Sequence, residues 1–289
     1  MFAHGAANAQ FIMMPDSTNN RIVLFNPSDG SLVNSNYFAL QGGTTVHAMQ
    51  VGNEIWVSEQ IGDRVSRWSL TGSSLGQIGG QFPGGGLDNI RGMALVNNTV
   101  YVTNSGTQNN APGNSVVMFD TNGASMGFFA TPAGTAPSPF GILAYRNDIL
   151  VSSSSANDDI HRFTLAGVSQ GTFHNSTSLN FAQQMTYALN GDILASGFSS
   201  NNVVRLDADT GAIISTFAAS GARGVYQLEN GNIMWTNSAG AHVYDINAGV
   251  STLVYAGGGR YLDFVLIPSP GAAAMLGLAG LVVGARRRR

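Results

Sequence analysis

One short pattern recurs six times along the 289-residue chain and limits the folds that it can adopt. In each copy a β-branched or small residue is followed by two further residues, then by an aromatic residue or leucine, and usually by a polar residue. The aromatic or leucine positions are Phe25, Trp68, Phe119, Phe163, Leu206 and Tyr244. Successive positions lie between 38 and 51 residues apart. A period of this length indicates an array of similar structural units.

Each copy contains four short segments with strand character, separated by turn residues. An apolar segment such as RGMALV comes first, and a tight turn such as Asn190-Gly191 leads to a second segment such as EIWVSE. Asn and Gly tolerate the positive φ angles that two-residue hairpin turns require. The recurring pattern forms the third segment, and a glycine-bearing turn leads to the fourth. Four antiparallel strands per repeat are typical of a β-propeller blade.

The two ends of the repeat region complete each other. The first copy begins at its second strand, whereas a spare inner strand, GRYLDFVLIP, follows the sixth copy. We therefore predict an all-β, six-bladed β-propeller with four antiparallel strands per blade over residues 11–267. Residues 260–267 complete the first blade and close the ring, which leaves few free sheet edges. An open solenoid or a sandwich is the alternative, and the displaced strand argues against both.

The segments GNEIWVSEQIGDRVSRWSLTGS and MMPDSTNNRIVLFNPSDGSLV resemble the blades of NHL-repeat and related six-bladed propellers. Blades of that family carry a hydrophobic pair, Val-Ala-Asp/Glu, a short loop, Asn-Arg-Ile/Val, an aromatic residue, Asp and Gly. The resemblance covers roughly residues 11–267 and implies an architecture, not a reaction. Such propellers include protein-binding modules, lactonases of the gluconolactonase type and antibiotic-cleaving lyases.

The distribution of charge argues against nucleic acid as a partner. All thirteen basic residues are arginine, and four of them end the chain. The other nine face 16 acidic residues, so the body of the protein carries a net charge of −7. Such a surface offers little to phosphate backbones. The absence of cysteine excludes disulfides and thiolate metal sites.

The predicted functional residues lie at one mouth of the ring. Inner strands begin there and second strands end there, because the two are antiparallel neighbours. The aligned positions at the start of the inner strands are Arg260, His47, Arg91, Phe140, Gln183 and Arg223. Those at the end of the second strands are Asp16, Glu59, Asn104, Ser153, Gly197 and Asn237. The three arginines and the histidine, with Asp16, Glu59, Asn104 and Asn237, are the predicted ligand-binding residues.

Arginine side chains at a channel mouth suit a carboxylate, phosphate or sulfate. We therefore expect an anionic small molecule or an exopolysaccharide as the ligand. The alternative is that these groups only pair with one another between blades, with Asp16 bonded to Arg260 or Arg91 and Glu59 to its neighbours.

We predict no catalytic residue, cofactor or metal ion, and a non-enzymatic binding role. The chain contains no glycine-rich phosphate loop, nucleophile elbow or His-Glu-x-x-His motif. A propeller hydrolase or lyase at the same mouth is the alternative. A lactonase-like metal site could take oxygen ligands from Asp16, Glu59, Asn104 and Asn237, although Ser153 and Gly197 interrupt that column. A lyase-like base could only be His47.

The chain begins with a short segment that is outside the repeat. Ala7-Asn8-Ala9 before Gln10 matches the small-x-small pattern of a signal-peptidase site, yet only MFAHGA precedes it. We expect residues 1–10 to be the remnant of a signal peptide or a disordered start.

The chain ends with a segment of a different kind. After Pro268, Ser269 and Pro270 come fifteen uncharged residues, followed by Arg286, Arg287, Arg288 and Arg289. Fifteen helical residues rise about 22 Å, which is short of the hydrocarbon core of roughly 30 Å. This build resembles the PEP-CTERM sorting tail, with Pro-Ser-Pro in place of the usual Pro-Glu-Pro.

The resemblance implies that residues 268–289 form a short hydrophobic helix that holds the protein at the inner membrane of a Gram-negative bacterium. An exosortase-type enzyme is the implied processing partner, and the implied destination is the cell surface or the extracellular matrix. A permanent membrane anchor is the alternative.

Overall fold

The computed structural model describes residues 8–80, 86–155 and 160–268. Across these residues the chain forms twenty-four β-strands in six four-stranded antiparallel sheets. Each sheet is one blade, which confirms the predicted six-bladed β-propeller. The predicted C-terminal helix and the sorting-tail residues from Ser269 to Arg289 lie outside the described residues.

The strands are given blade by blade. Blade 1 contains β1 (Asn8–Asp16), β2 (Arg21–Phe25), β3 (Leu32–Ala39) and β24 (Asp263–Pro268). Blade 2 contains β4 (Thr45–Val51), β5 (Glu54–Glu59), β6 (Arg64–Ser69) and β7 (Ser74–Gly79). Blade 3 contains β8 (Ile90–Val96), β9 (Thr99–Asn104), β10 (Ser115–Asp120) and β11 (Ser125–Ala130). Blade 4 contains β12 (Pro139–Tyr145), β13 (Asp148–Ser153), β14 (Ile160–Thr164) and β15 (Ser169–His174). Blade 5 contains β16 (Ala182–Tyr187), β17 (Ile193–Gly197), β18 (Asn202–Leu206) and β19 (Ile213–Ala218). Blade 6 contains β20 (Val225–Gln227), β21 (Ile233–Asn237), β22 (Gly240–Asp245) and β23 (Val250–Ala256).

Blade 1 is assembled from both ends of the propeller. Strand β24 pairs with β1 and becomes the inner strand of that blade, as predicted. The strand begins at Asp263 and not at residue 260, because an irregular stretch follows the isolated bridge between Gly259 and Asp16. Strand β1 begins at Asn8, so residues 8–10 of the predicted start segment pair with β24.

The hydrophobic core consists of six layers, each between two neighbouring blades. Five of the six recurring aromatic or leucine side chains are at most 5% exposed, and the sixth, Tyr244, stacks on Phe217 with ring centroids 3.9 Å apart. In the layer between blades 1 and 2, Trp68 stacks on Phe38 with centroids 5.3 Å apart. The sequence repeat therefore marks the side chains that join blades.

A column of buried hydroxyls also joins the blades. Its members lie on the second strand of blades 2 to 6 and are Ser58, Thr103, Ser152, Ser196 and Thr236. Each hydroxyl accepts an N–H from within or just before the inner strand of its own blade, and donates to a carbonyl within or just before the inner strand of the next. Blade 1 has Pro15 at this position, and there the N–H of Tyr261 donates directly to the carbonyl of Val46 at 3.1 Å.

Among the described residues, no helix has the length and apolar character needed to cross a membrane.

Candidate functional site

The start of the inner strands forms a ring of equivalent positions at one mouth of the channel. The hydrogen bonds of the hydroxyl column identify its members, which in blade order are Arg260, Val46, Arg91, Phe140, Gln183 and Arg223. The predicted alignment holds for five of the six. In blade 2 a bulge between Thr45 and His47 shifts the register, so Val46 takes this position and His47 lies one residue deeper.

Side chains near this level meet on the channel axis and block it. Val46, Phe140 and Tyr261, from blades 2, 4 and 1, pack in one cluster together with Phe181 from blade 5. Tyr261 and Val46 are at most 1% exposed. The mouth is therefore a closed funnel whose floor includes Tyr261.

The positions one residue deeper hold either a large side chain or glycine. The large ones are Tyr261, His47 and Gln184, and the others are Gly92, Gly141 and Gly224. A Cβ atom on Gly141 would lie 1.7 Å from the carbonyl oxygen of Gln183 in the next blade. Glycine is required at such positions because the backbones of neighbouring blades approach too closely for a side chain.

Arg91 is the most buried of the three mouth arginines. The residue is 7% exposed, and its Nη1 donates to the carbonyl of Pro139 at 3.0 Å and to the hydroxyl of Ser138. Its guanidinium lies over the ring of Phe140, 4.5 Å from the centroid. Burial lowers the pKa of Arg91 to about 10. At pH 7 the group still carries its charge, since the pKa lies about three units above the pH.

Arg223 and Arg260 lie close enough to repel each other. Burial, and then the charge of Arg223, lowers the pKa of Arg260 to about 10. Burial also lowers the pKa of Arg223. Arg260 donates from Nε to the hydroxyl of Ser17 at 2.9 Å, while Arg223 contacts the ring of Phe198, 5.8 Å from its centroid.

None of the three mouth arginines forms an ion pair with a carboxylate in the described part of the chain, whereas six other described arginines each pair with a nearby Asp or Glu. Buried atoms near the rim that lack a hydrogen-bond partner among the described residues include Nε of Arg91, Nε of Arg223, Oε1 of Gln183 and the hydroxyl of Tyr261. The hydroxyl of Thr45 and Oε1 of Glu59 also lack one. Burial raises the pKa of Tyr261, although Arg91 and Arg260 oppose this. The mouth thus concentrates positive charge and unsatisfied polar groups.

The predicted carboxylates do not face these arginines. Asp16 accepts hydrogen bonds from Tyr255, from Asn19 and from the N–H of Gly258. Burial alone would raise the pKa of Asp16, but these hydrogen bonds outweigh it and hold the pKa at about 2. The ion-pair partner of Asp16 is Arg21, at 3.4 Å, and not Arg260 or Arg91 as the pairing alternative proposed.

Glu59 and the two predicted asparagines also serve the loops beside them. Glu59 Oε2 accepts from Nε of Arg64 at 2.6 Å, and burial raises the pKa of Glu59. The carboxamide of Asn104 accepts from the N–H of Asp88 at 2.7 Å. That of Asn237 donates to the carbonyl of Ser220 at 3.0 Å. These residues lie at equivalent strand ends, as predicted, and their side chains bond to groups other than Arg91, Arg223 and Arg260.

His47 lies below the floor of the funnel, beside a cavity of about 150 Å³. Its Nδ1 accepts from the N–H of Met93 at 3.0 Å, so in the neutral ring Nε2 is the protonated nitrogen that faces Asp263 Oδ2 at 3.2 Å. Both ring nitrogens are therefore engaged. Groups of three or more potential metal-ligating side chains are absent from the described residues.

A wall of three phenylalanines lies on the side of the mouth formed by blades 4 and 5. Phe181 contacts Phe140 with centroids 4.9 Å apart and Phe198 with centroids 5.3 Å apart, both edge to face. Phe181 and Phe198 are partly exposed. Sequence comparison of the blades missed these two residues and Tyr261. Their signal was available, because the other blades have Ser or Gln where blade 5 has Phe198.

Comparison with known proteins supports the fold and does not assign a family. No protein-family model and no curated protein sequence matches the chain. Among solved structures, the nidogen/laminin complex contains a chain with a TM-score of 0.72 at 12% identity, which covers 90% of this chain and 100% of that one. A protein of unknown function from Bacteroides caccae has a TM-score of 0.63 at 15% identity, with 90% and 99% covered.

Two lyases are similar over most of this chain. A streptogramin B lyase has a TM-score of 0.53 at 12% identity and covers 93% of this chain and 76% of its own. An inactive virginiamycin B lyase from Staphylococcus aureus, with quinupristin, has a TM-score of 0.53 at 15% identity, with 91% and 76% covered. At these identities the likeness concerns the propeller fold alone.

Proposed function

We propose that this protein is an exported, non-enzymatic binding propeller that holds an anionic ligand at the arginine mouth. One observation carries the proposal: Arg91, Arg223 and Arg260 share one mouth and have no carboxylate partner among the described residues. Burying a cation is costly unless an anion or hydrogen bonds compensate. A bound carboxylate, sulfate or phosphate would supply that compensation.

The position of the arginines favours a small anion or the end of an acidic glycan chain. The guanidiniums lie around a funnel with a closed floor at Tyr261, not along an open surface. A ligand must therefore present its charge on a protruding group that enters the funnel.

The experiment is a titration of the folded protein with sodium sulfate against sodium chloride at equal ionic strength, followed by thermal unfolding. Sulfate is expected to raise the Tm of the wild type, because a ligand that binds only the folded state stabilises it. Arg223→Gln should abolish most of that shift. The control is Arg205→Gln, which removes an arginine whose partner is Asp192, away from the mouth. Equal sulfate shifts in wild type and Arg223→Gln would overturn the proposal.

Export and sorting form the second part of the proposal. The supporting observation is the sequence from Pro268 to Arg289, with its proline motif, uncharged stretch and four terminal arginines. An exosortase-type enzyme would act on this tail after the inner membrane has held it. Mass spectrometry of the protein recovered from the surface of its host should find a C-terminus upstream of Arg286. An intact C-terminus in the membrane fraction would favour the permanent anchor.

A lyase is the second candidate function, favoured by the likeness to two streptogramin-type lyases over 91% or more of this chain. Against it stands His47, whose ring nitrogens both have hydrogen-bond partners. Incubation with quinupristin, followed by chromatography and mass spectrometry, tests this candidate. We expect the antibiotic to remain intact, and its turnover would support the lyase.

A further inference from the structure

Blade 5 departs from the other blades at two positions of the mouth. The residue two positions before the ring member has a left-handed backbone in Thr44 (φ 56°), Asn89 (φ 54°), Ser138 (φ 52°) and Gly221 (φ 61°). In blade 5 that residue is Phe181, with φ 53°. Phe198, also in blade 5, follows the second strand at a position that the other blades fill with Ser17, Gln60, Ser105, Ser154 and Ser238.

Phe181 is a costly choice for its backbone conformation. Left-handed residues are usually glycine, asparagine or aspartate, and a bulky side chain there is strained. Strained residues of this kind cluster at ligand-binding sites. The ring of Phe181 is also partly exposed, so burial does not fully account for it. A role of the phenylalanine side chain at the mouth therefore accounts for this residue at a position that disfavours it.

The wall formed by Phe140, Phe181 and Phe198 has a guanidinium at each end. Arg91 lies over Phe140 with its guanidinium carbon 4.5 Å from the ring centroid. Arg223 lies 5.8 Å from the centroid of Phe198. A ligand that contacts the wall is thus within reach of a cation on either side. Aromatic surface and positive charge are presented together.

The polar groups of the mouth favour an aromatic ring over a sugar ring. Sugar hydroxyls donate as well as accept, so a glycan needs acceptors in its site. The unpartnered groups of Arg91, Arg223 and Tyr261 in the described mouth are donors, and the unpartnered acceptors there are Oε1 of Gln183 and Oε1 of Glu59, whose other carboxylate oxygen is already paired with Arg64. An aromatic acid needs donors for its carboxylate and apolar surface for its ring.

We infer that the ligand of this mouth is an aromatic carboxylic acid, whose ring packs on the phenylalanine wall while its carboxylate binds the arginines. The inference rests on the anion site proposed above. It narrows the ligand class from any anion to one with a flat apolar ring beside its charge.

Isothermal titration with sodium benzoate, sodium acetate and sodium glucuronate tests the inference at pH 7. The wild type is expected to bind benzoate about five- to tenfold more tightly than acetate, as one aromatic contact contributes. Phe181→Asn gives blade 5 the residue that blade 3 has, relieves the strain and should remove this preference while acetate still binds. Thr44→Asn is the matched control, because it introduces the same residue at the equivalent position of blade 2 and should keep the preference.

Phe198→Ser is the second variant and should also remove the preference, so the test remains decisive if Phe181→Asn unfolds. Equal affinity of the wild type for benzoate and acetate overturns the inference but leaves the anion site intact. Tighter binding of glucuronate than benzoate overturns it in favour of an acidic glycan. Absence of binding of all three anions and of sulfate would instead remove the proposed function itself.

Discussion

The hydroxyl of Tyr255 donates a hydrogen bond to Oδ2 of Asp16 at 2.5 Å, which joins the outer strand of blade 6 to the end of β1 in blade 1. Asp16 also accepts the N–H of Gly258 at 2.9 Å. The two bonds cross the point where the two ends of the propeller meet. Asp16 is fully buried, and its carboxylate holds the two ends of the propeller together.

Acidification should weaken the contribution of Asp16 to ring closure. The pKa of Asp16 is about 2 in the folded protein, below the ordinary aspartate value of 3.8, because hydrogen bonds from Tyr255, Asn19 and Gly258 favour the carboxylate. A depressed folded pKa stabilises the fold at pH values above the unfolded pKa, and that stabilisation is lost as the pH falls from about 4 towards 2. A shift of this size corresponds to about 2 kcal/mol.

Asp16→Asn should therefore lower the free energy of unfolding by about 2 kcal/mol at pH 7 and by about half as much at pH 3. Urea unfolding at the two pH values measures this difference. Asp245→Asn is the control, because Asp245 is the half-buried last residue of β22, and its side chain accepts the N–H groups of Asn247 and Ala248 in the adjoining turn. An equal loss at both pH values would mean that the charge of Asp16 is not what stabilises the closure.

The buried hydroxyl column should contribute more to the free energy of unfolding than the small size of its side chains suggests. Thr236 accepts the N–H of Gly224 at 2.8 Å and donates to the carbonyl of Arg260 at 2.6 Å. Thr236→Val keeps the shape and leaves both backbone groups without that partner, which should cost about 1–3 kcal/mol. Thr172→Val on the exposed face of β15 is the matched control and should change stability little. Chemical denaturation measures both, and equal midpoints would contradict the role of the column.

The sequence predicts the blades far better than it predicts the site, and the reason is visible in particular residues. Trp68 and Phe163 recur with a regular period because every inter-blade layer needs a large apolar side chain. The inner strand was equally recognisable in residues 260–267. Neither inference depends on the register of a single residue.

The site depends on such details. The bulge before His47 shifts one residue, and no pattern in the sequence distinguishes Val46 from His47 there. The local pairing of the two carboxylates, however, could be predicted from the sequence. Asp16 lies directly opposite Arg21, and Glu59 directly opposite Arg64, with the same spacing of five residues across the turn. That spacing indicated local ion pairs and not a shared cluster at the mouth.

The tail beyond Pro268 should be dispensable for folding. Strand β24 closes the ring, and its Val265 is fully buried in the layer between blades 1 and 2. A chain that ends at Pro268 should therefore have a Tm within about 2 °C of the full chain. A chain that ends at residue 262 lacks β24 and should fail to fold. Circular dichroism during heating compares the three, and a large loss of Tm on removing residues 269–289 would show that the tail packs on the propeller.

Tyr261→Phe separates stability from binding at the funnel floor. The Tyr261 hydroxyl is buried and has no hydrogen-bond partner among the described residues, although Arg91 and Arg260 lie near it. Removing an unsatisfied buried hydroxyl should stabilise the ligand-free protein by about 1 kcal/mol. If the hydroxyl donates to the bound anion, the same change should weaken sulfate or benzoate binding several-fold. Thermal unfolding without and with the anion measures both effects. A less stable variant with unchanged affinity would show that the hydroxyl serves the fold, and would remove Tyr261 from the binding site.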